Sequence, residues 1–152
     1  MNSQEIKNIL FKKCTAFVTD REQTVTQIIK SNQQGLQSET KSSAGDKHET
    51  GRAMLQLEME KAGQQLEGIY LLKSTLTKVK IDDSSDIAKL GSLIITNHAN
   101  YFLAISAGEI RIENKQYYAI SPGSPIGRLL LGKKVGDAIV FNEKSIMIDE
   151  VC

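Results

Sequence analysis

Residues 55–76 read LQLEMEKAGQQLEGIYLLKSTL, and this stretch sets the fold of the first half of the chain. Apolar residues recur in it at alternating intervals of three and four positions: Leu55, Met59, Ala62, Leu66, Ile69 and Leu76. Lys73 takes the one polar position of the series, with Leu72 beside it. Such spacing gathers apolar side chains in a narrow stripe along one side of a helix. We therefore predict a helix over residues 50–80.

A second stretch with the same rhythm precedes this one, from Gln4 to about Gln34, and contains neither proline nor glycine. Its predicted apolar seam consists of Phe11, Cys14, Val18, Arg21, Val25 and Ile28, with Arg21 as the polar interruption. Each helix of ~30 residues would be ~45 Å long, which is more than a small sheet can cover. We therefore predict an antiparallel two-helix coiled-coil hairpin over residues 1–80. The polar residues 37–45 would form its connecting loop or a frayed helix end.

The second half of the chain has a different pattern, in which short apolar runs alternate with turn residues after an acidic segment at residues 81–86. Such runs predict strands, at residues 93–96, 101–105, 116–120, 138–141 and 145–148. Residues 97–100 and 142–144 would turn two hairpins, and Ser124 would cap a short helix over residues 125–131, with Pro125 at its first position. We therefore predict a small domain over residues 81–152 and an α+β fold class for the whole chain.

The composition is that of an ordinary globular chain, with 40% hydrophobic and 24% charged residues, and it matches neither disordered nor membrane proteins. No apolar run reaches the ~20 residues that span a bilayer, and the residues from Met1 onward lack the pattern of a secretion signal. We therefore expect a cytoplasmic protein with no membrane partner. The formal net charge of +1 argues against independent DNA binding, which needs a pronounced basic surface.

The two cysteines predict neither a disulfide framework nor a zinc site, because they form no C-x-x-C pair and no histidine stands at ligand spacing. Cys14 lies in the helical pattern and is expected to be a small core residue. Cys152 is expected to be a mobile thiol.

Two motifs carry a resemblance to a known family. The segment Gly45-Asp46-Lys47-His48-Glu49 lies between the predicted helices, and residues 124–133 read SPIGRLLLGK in the second half. In this order they resemble the glycine-aspartate-x-x-glutamate tip and the serine-proline and glycine-lysine segments of the bacterial GreA/GreB transcript cleavage factors. The resemblance implies that the carboxyl-terminal domain has an FKBP-like fold and that the amino-terminal hairpin carries an acidic tip near residues 45–49.

Membership of this family would imply that RNA polymerase is the partner. The hairpin would enter the secondary channel, where Asp46 and Glu49 would help to hold the second Mg²⁺ and a water while the polymerase itself cuts backtracked RNA. The chain would then be no enzyme, would have no cofactor beyond Mg²⁺ shared with RNA polymerase, and would meet the nascent RNA 3′ end only indirectly. Ser124, Pro125 and Ile126 are implied contacts to the polymerase. We also expect a monomer.

The same acidic motif has a structural interpretation. Asp46-x-x-Glu49 at the start of a helix is a capping-box pattern, in which both side chains satisfy backbone N–H groups of the first turn. After Glu49 the chain also departs from the family pattern, with Thr50-Gly51-Arg52-Ala53 in place of asparagine, alanine, a further acid and tyrosine.

Lys47 and Arg52 balance the two acids, so that residues 45–53 are formally neutral and attract Mg²⁺ less than an acidic tip would. A second hypothesis is therefore a channel-binding regulator or inhibitor without cleavage activity. Lesser alternatives are an FKBP-like peptidyl-prolyl isomerase and a coiled-coil adaptor whose helical seams associate between chains. His48 and His98 are expected to be polar loop residues.

Overall fold

Two long helices followed by a small sheet make up this protein. The computed structural model describes the backbone of residues 1–41 and 46–152 and the side chains of residues 1–38 and 49–152. The elements are α1 (Ser3–Lys41), α2 (Asp46–Lys78), β1 (Leu93–Thr96), β2 (Asn100–Leu103), β3 (Gly108–Ile112), β4 (Lys115–Ile120), α3 (Pro125–Leu130), β5 (Ala138–Phe141) and β6 (Lys144–Val151). The predicted α+β class is confirmed. Within the described ranges, no helix has both the length and the apolarity that crossing a membrane requires.

The chain divides into two compact units. One contains residues 18–73, and the other contains residues 1–17 together with residues 74–152. In the first unit α1 and α2 run antiparallel, since Glu22 forms a salt bridge with Lys73 and Gly35 packs against Leu55. The predicted helical hairpin is therefore present, and the predicted domain boundary between residues 80 and 81 stays a prediction.

The apolar seam of α2 is confirmed, whereas that of α1 is only partly right. Every predicted apolar residue of the α2 seam is buried or half-buried, with Ala62 and Ile69 almost fully so, and the polar member Lys73 is exposed. In α1 the prediction holds for Phe11, Cys14, Val18 and Val25, which are half-buried or buried, and is wrong for Arg21 and Ile28, both of which are exposed. Beyond Val18 the seam runs instead through Glu22, Val25, Ile29, Asn32 and Leu36, which are buried or half-buried.

The polar residues before the tip are helical to a greater extent than expected. Helix α1 continues through Lys41, so residues 37–41 form the end of the helix and the alternative of a connecting loop is wrong for them, while residues 42–45 lie outside the described part. Helix α2 is already helical at Asp46, four residues before the predicted start. The predicted short helix is confirmed at Pro125–Leu130, with Ser124 as its cap.

The six strands form one mixed sheet in the order β3-β4-β2-β1-β6-β5. β2 and β4 are parallel neighbours, and the other adjacent pairs are antiparallel. All five predicted strands are present, within a few residues of the expected bounds. β3 was not predicted, and it is an edge strand whose exposed positions carry Glu109 and Arg111.

One face of the sheet builds a core with α3. The buried residues of this core are Ala88, Ile94, Tyr101, Leu103, Leu130, Ile139, Ile146 and Ile148.

Both predicted hairpin turns are confirmed. In the first, Thr96 N–H donates to Ala99 O (3.1 Å). In the second, Asn142 and Glu143 have φ of 50° and 66°, as a two-residue type I′ turn requires. Cys152 is not a mobile residue, because its backbone exchanges two hydrogen bonds with Leu93 (2.9 and 3.0 Å).

Candidate functional site

The predicted acidic pair lies where α2 begins. Asp46 is the first residue of α2, and Glu49 follows three positions later with an exposed side chain. Positions three apart on a helix are neighbours on its surface, so the helical backbone is compatible with two acids acting together. The structure does not describe the side chains of Asp46 and His48. The pairing of Asp46 with Glu49 therefore stays a prediction. Across the described part of the chain, no group of three or more histidine, cysteine, aspartate and glutamate residues is arranged to hold a metal ion.

The hairpin that carries this pair is held by an apolar seam with two polar layers. In the first layer Glu22 and Lys73 form a salt bridge, with side chains 28% and 45% exposed. Lys73, the polar residue of the α2 seam, therefore contacts Glu22, a polar residue of the α1 seam. The second layer is Asn32, which is only 7% exposed and whose Nδ2 has no hydrogen-bond partner. A buried amide without a partner destabilises the packing around it.

The candidate docking segment Ser124-Pro125-Ile126 begins α3. The Oγ atom of Ser124 accepts a hydrogen bond from Gly127 N–H (3.1 Å) and donates one to Ser121 O (2.7 Å). The serine is therefore a helix cap, a residue type that satisfies N–H groups which the first turn leaves unpaired. Gly127 is required here, because a Cβ atom at this position would lie 2.0 Å from Ser121 O.

The three residues of this segment present different surfaces. Pro125 is exposed, whereas Ser124 and Ile126 are half-buried. Ile126 packs on the core of the sheet and lines an open cleft of about 1040 Å³. Of the three predicted contact residues, Pro125 thus offers the most side-chain surface to a partner, and the hydroxyl of Ser124 is occupied by the cap.

The cleft beside Ile126 is lined by aromatic side chains that sequence reasoning did not single out. Tyr101, Tyr118 and Phe141 contribute to its wall, and the rings of Tyr101 and Tyr118 lie 6.2 Å apart at a tilt of 38°. Burial raises the pKa of Tyr101, and the neighbouring Tyr118 raises it further. Both apolar contact and phenol hydrogen bonds are therefore possible in this cleft. The pairing of β2 with β4 brings the two tyrosines together, which the sequence alone does not reveal.

Comparison with known proteins does not add a relative. No family model, no curated protein and no solved structure matches this chain. The functional interpretation therefore depends on the two sequence motifs, the order of the elements and the surroundings of the named side chains.

Proposed function

We propose that this chain is a transcription elongation factor of the GreA/GreB type, which binds RNA polymerase and stimulates cleavage of backtracked RNA. The observation that supports it most is an antiparallel hairpin of two long helices in which Asp46 opens α2 and Glu49 follows on its exposed surface. A small sheet with a capped helix follows in the chain, in the order of that family. The FKBP-like character of this sheet is part of the proposal.

The residues present are suited to a shared Mg²⁺. Mg²⁺ prefers oxygen ligands and is commonly held by one or two carboxylates together with substrate phosphates and waters. Asp46 and Glu49 would supply two carboxylates, and the polymerase and its RNA would supply the remaining ligands. The Mg²⁺ ion would stabilise the charge that develops when water attacks the phosphodiester. The acids would orient this ion and the water, so that catalysis belongs to the polymerase.

The unit that contains the sheet, residues 1–17 and 74–152, would provide the affinity for the polymerase. Pro125 is exposed at the start of α3, and the cap at Ser124 fixes the orientation of the segment around it. A rigid turn of this kind loses little conformational freedom on binding. Ser124, Pro125 and Ile126 are therefore proposed as a docking element, in which Ser124 acts by shaping the loop.

The test is RNA cleavage in a defined backtracked elongation complex with the cognate polymerase and Mg²⁺. The intact protein is compared with a double Asp46→Ala, Glu49→Ala variant and with a matched Glu58→Ala, Glu60→Ala variant, which removes the same charge from exposed positions farther along α2. We expect the intact protein and the matched variant to accelerate release of the 3′ fragment, and the tip variant to bind without accelerating it. Equal activity of all three proteins would exclude the proposed role of the acids.

A regulator without cleavage activity is the second candidate, and the charge of the tip favours it. Residues 45–53 are formally neutral, because Lys47 and Arg52 balance the acids. In the same assay such a regulator would bind the polymerase without accelerating cleavage. It would also slow cleavage by an active factor added together with it, since both would occupy one channel.

A further inference from the structure

We propose that one end of the helical hairpin opens and closes by itself while the rest of the hairpin stays packed. The part that opens, here called the end segment, consists of residues 32–38 of α1 and residues 49–59 of α2. The part that stays closed, here called the base segment, consists of residues 18–29 and 62–73 of the same helices. Both segments belong to one compact unit of the chain. The boundary between them is the layer that contains Asn32.

The base segment is held by closely packed side chains. A salt bridge between Glu22 and Lys73 joins α1 and α2 in this part of the hairpin. Separation of the helices here would expose apolar surface to water, which is unfavourable in proportion to the area exposed. The buried apolar side chains of the base segment are Val18, Val25, Ala62 and Ile69.

The end segment is packed more loosely. None of its described apolar side chains is fully buried, and Leu36, Leu55 and Met59 are half-buried. The most buried side chain in its described part is polar, since Asn32 is only 7% exposed, and the Nδ2 atom of this asparagine has no hydrogen-bond partner. Regions with few buried apolar contacts open locally at a lower free energy than the core. The end segment is therefore the part of the hairpin that opens first.

Hydration of Asn32 favours opening as far as this residue and no farther. Gly35 packs against Leu55, so in the antiparallel pair Asn32 lies one turn away, at the level of Met59. When the helices separate up to this layer, water satisfies the Nδ2 donor that has no partner in the closed hairpin. The next layer contains the buried Ala62, whose exposure brings no such gain. The opening therefore stops at the base segment.

The test is residue-resolved amide hydrogen exchange of the intact, folded chain at increasing urea concentrations. We expect the amides of residues 33–38 and 50–59 to be at least about tenfold less protected than those of residues 22–29 and 64–73. Exchange in the end segment should depend little on urea, because its opening exposes little surface. Exchange in the base segment should depend steeply on urea, because it requires the whole hairpin to open.

A substitution in the base segment separates local opening from opening of the whole hairpin. Val25→Ala weakens packing that is present both in the closed hairpin and in the form with only the end segment open. It should therefore accelerate exchange in the base segment by about tenfold and leave exchange in the end segment unchanged. Ile69→Val makes a smaller change at another buried position of the base segment and replaces Val25→Ala should that variant fail to fold.

A substitution at the boundary tests the role of the amide. Asn32→Leu removes the unpaired donor and should slow exchange in the end segment by about tenfold or more. Gln33→Leu is the matched control, since Gln33 is exposed, and it should leave this exchange nearly unchanged.

Two results would overturn the proposal. Equal acceleration of both segments by Val25→Ala or Ile69→Val would show that the hairpin opens as one unit. Unchanged exchange of the end segment in Asn32→Leu would show that the buried amide does not set the boundary. The proposal is independent of the proposed function, because these measurements need neither RNA polymerase nor RNA.

Discussion

Replacement of Asn32 by leucine is expected to stabilise the hairpin. Asn32 is 7% exposed in the seam of α1, and its Nδ2 has no hydrogen-bond partner. An unsatisfied buried donor costs about 1–3 kcal/mol. Leucine has a branched shape like that of asparagine, is larger, adds apolar contact and favours the helix more than asparagine does. After allowance for adjustment of the neighbouring side chains, we expect Asn32→Leu to raise the free energy of unfolding by about 2 kcal/mol.

The assay is urea unfolding followed by the helical circular dichroism signal, together with amide hydrogen exchange in residues 18–38 and 49–73. Gln33→Leu serves as the control, because it makes a similar change at the neighbouring exposed position and should alter stability by no more than about 0.5 kcal/mol. Slower exchange confined to the hairpin unit would support the expectation. A variant that is no more stable than the unaltered protein would refute it, since the amide would then have to be satisfied in solution.

Three further predictions concern the unit that contains the sheet. Gly127→Ala should destabilise it by more than about 2 kcal/mol in thermal unfolding, because the added Cβ meets Ser121 O at 2.0 Å. Ser124→Ala should cost about 1 kcal/mol in the same experiment, through loss of the cap of α3; an unchanged stability would contradict the capping role. Burial raises the pKa of Cys14 to about 11, and thiolate is the reactive form. Cys14 is also fully buried, so iodoacetamide at neutral pH should label Cys152 in the folded protein and Cys14 only in denaturant; mass spectrometry counts the labels.

The seam of α1 shows where sequence reasoning succeeds and where it stops. Two stripes with three-four spacing overlap in this helix, one through Arg21 and Ile28 and the other through Glu22 and Ile29. The sequence of α1 alone gives no reason to bury glutamate in place of arginine. The choice depends on α2, where Lys73 occupies the facing position and pairs with Glu22. The spacing of apolar residues thus predicts that α1 is a helix packed on another helix. Which of its two adjacent stripes is buried depends on the residues of α2 that face it.

The strands illustrate a related limit. β5 is a continuous apolar run and β1 has three apolar residues before Thr96, and the bounds of both strands were predicted correctly. β3 alternates charged and buried residues, with Glu109 and Arg111 facing outward, so it lacks the apolar run on which the prediction was based. Charges of this kind are typical of a protected edge. For the candidate site, the sequence supplies the positions of Asp46 and Glu49 on the chain and a helical start, and the joint action of the two acids stays a prediction.

The position of β1 in the sheet has a consequence for the growing chain on the ribosome. β1 has β2 on one side and β6 on the other. The first pairing needs only a short turn, whereas the second waits until translation has reached residues 144–151. Synthesis at about 5–20 residues per second leaves the other side of β1 open for several seconds after β1 itself has been made. During this interval the nascent chain exposes a central apolar strand, and molecular chaperones or neighbouring nascent chains compete with β6 for it.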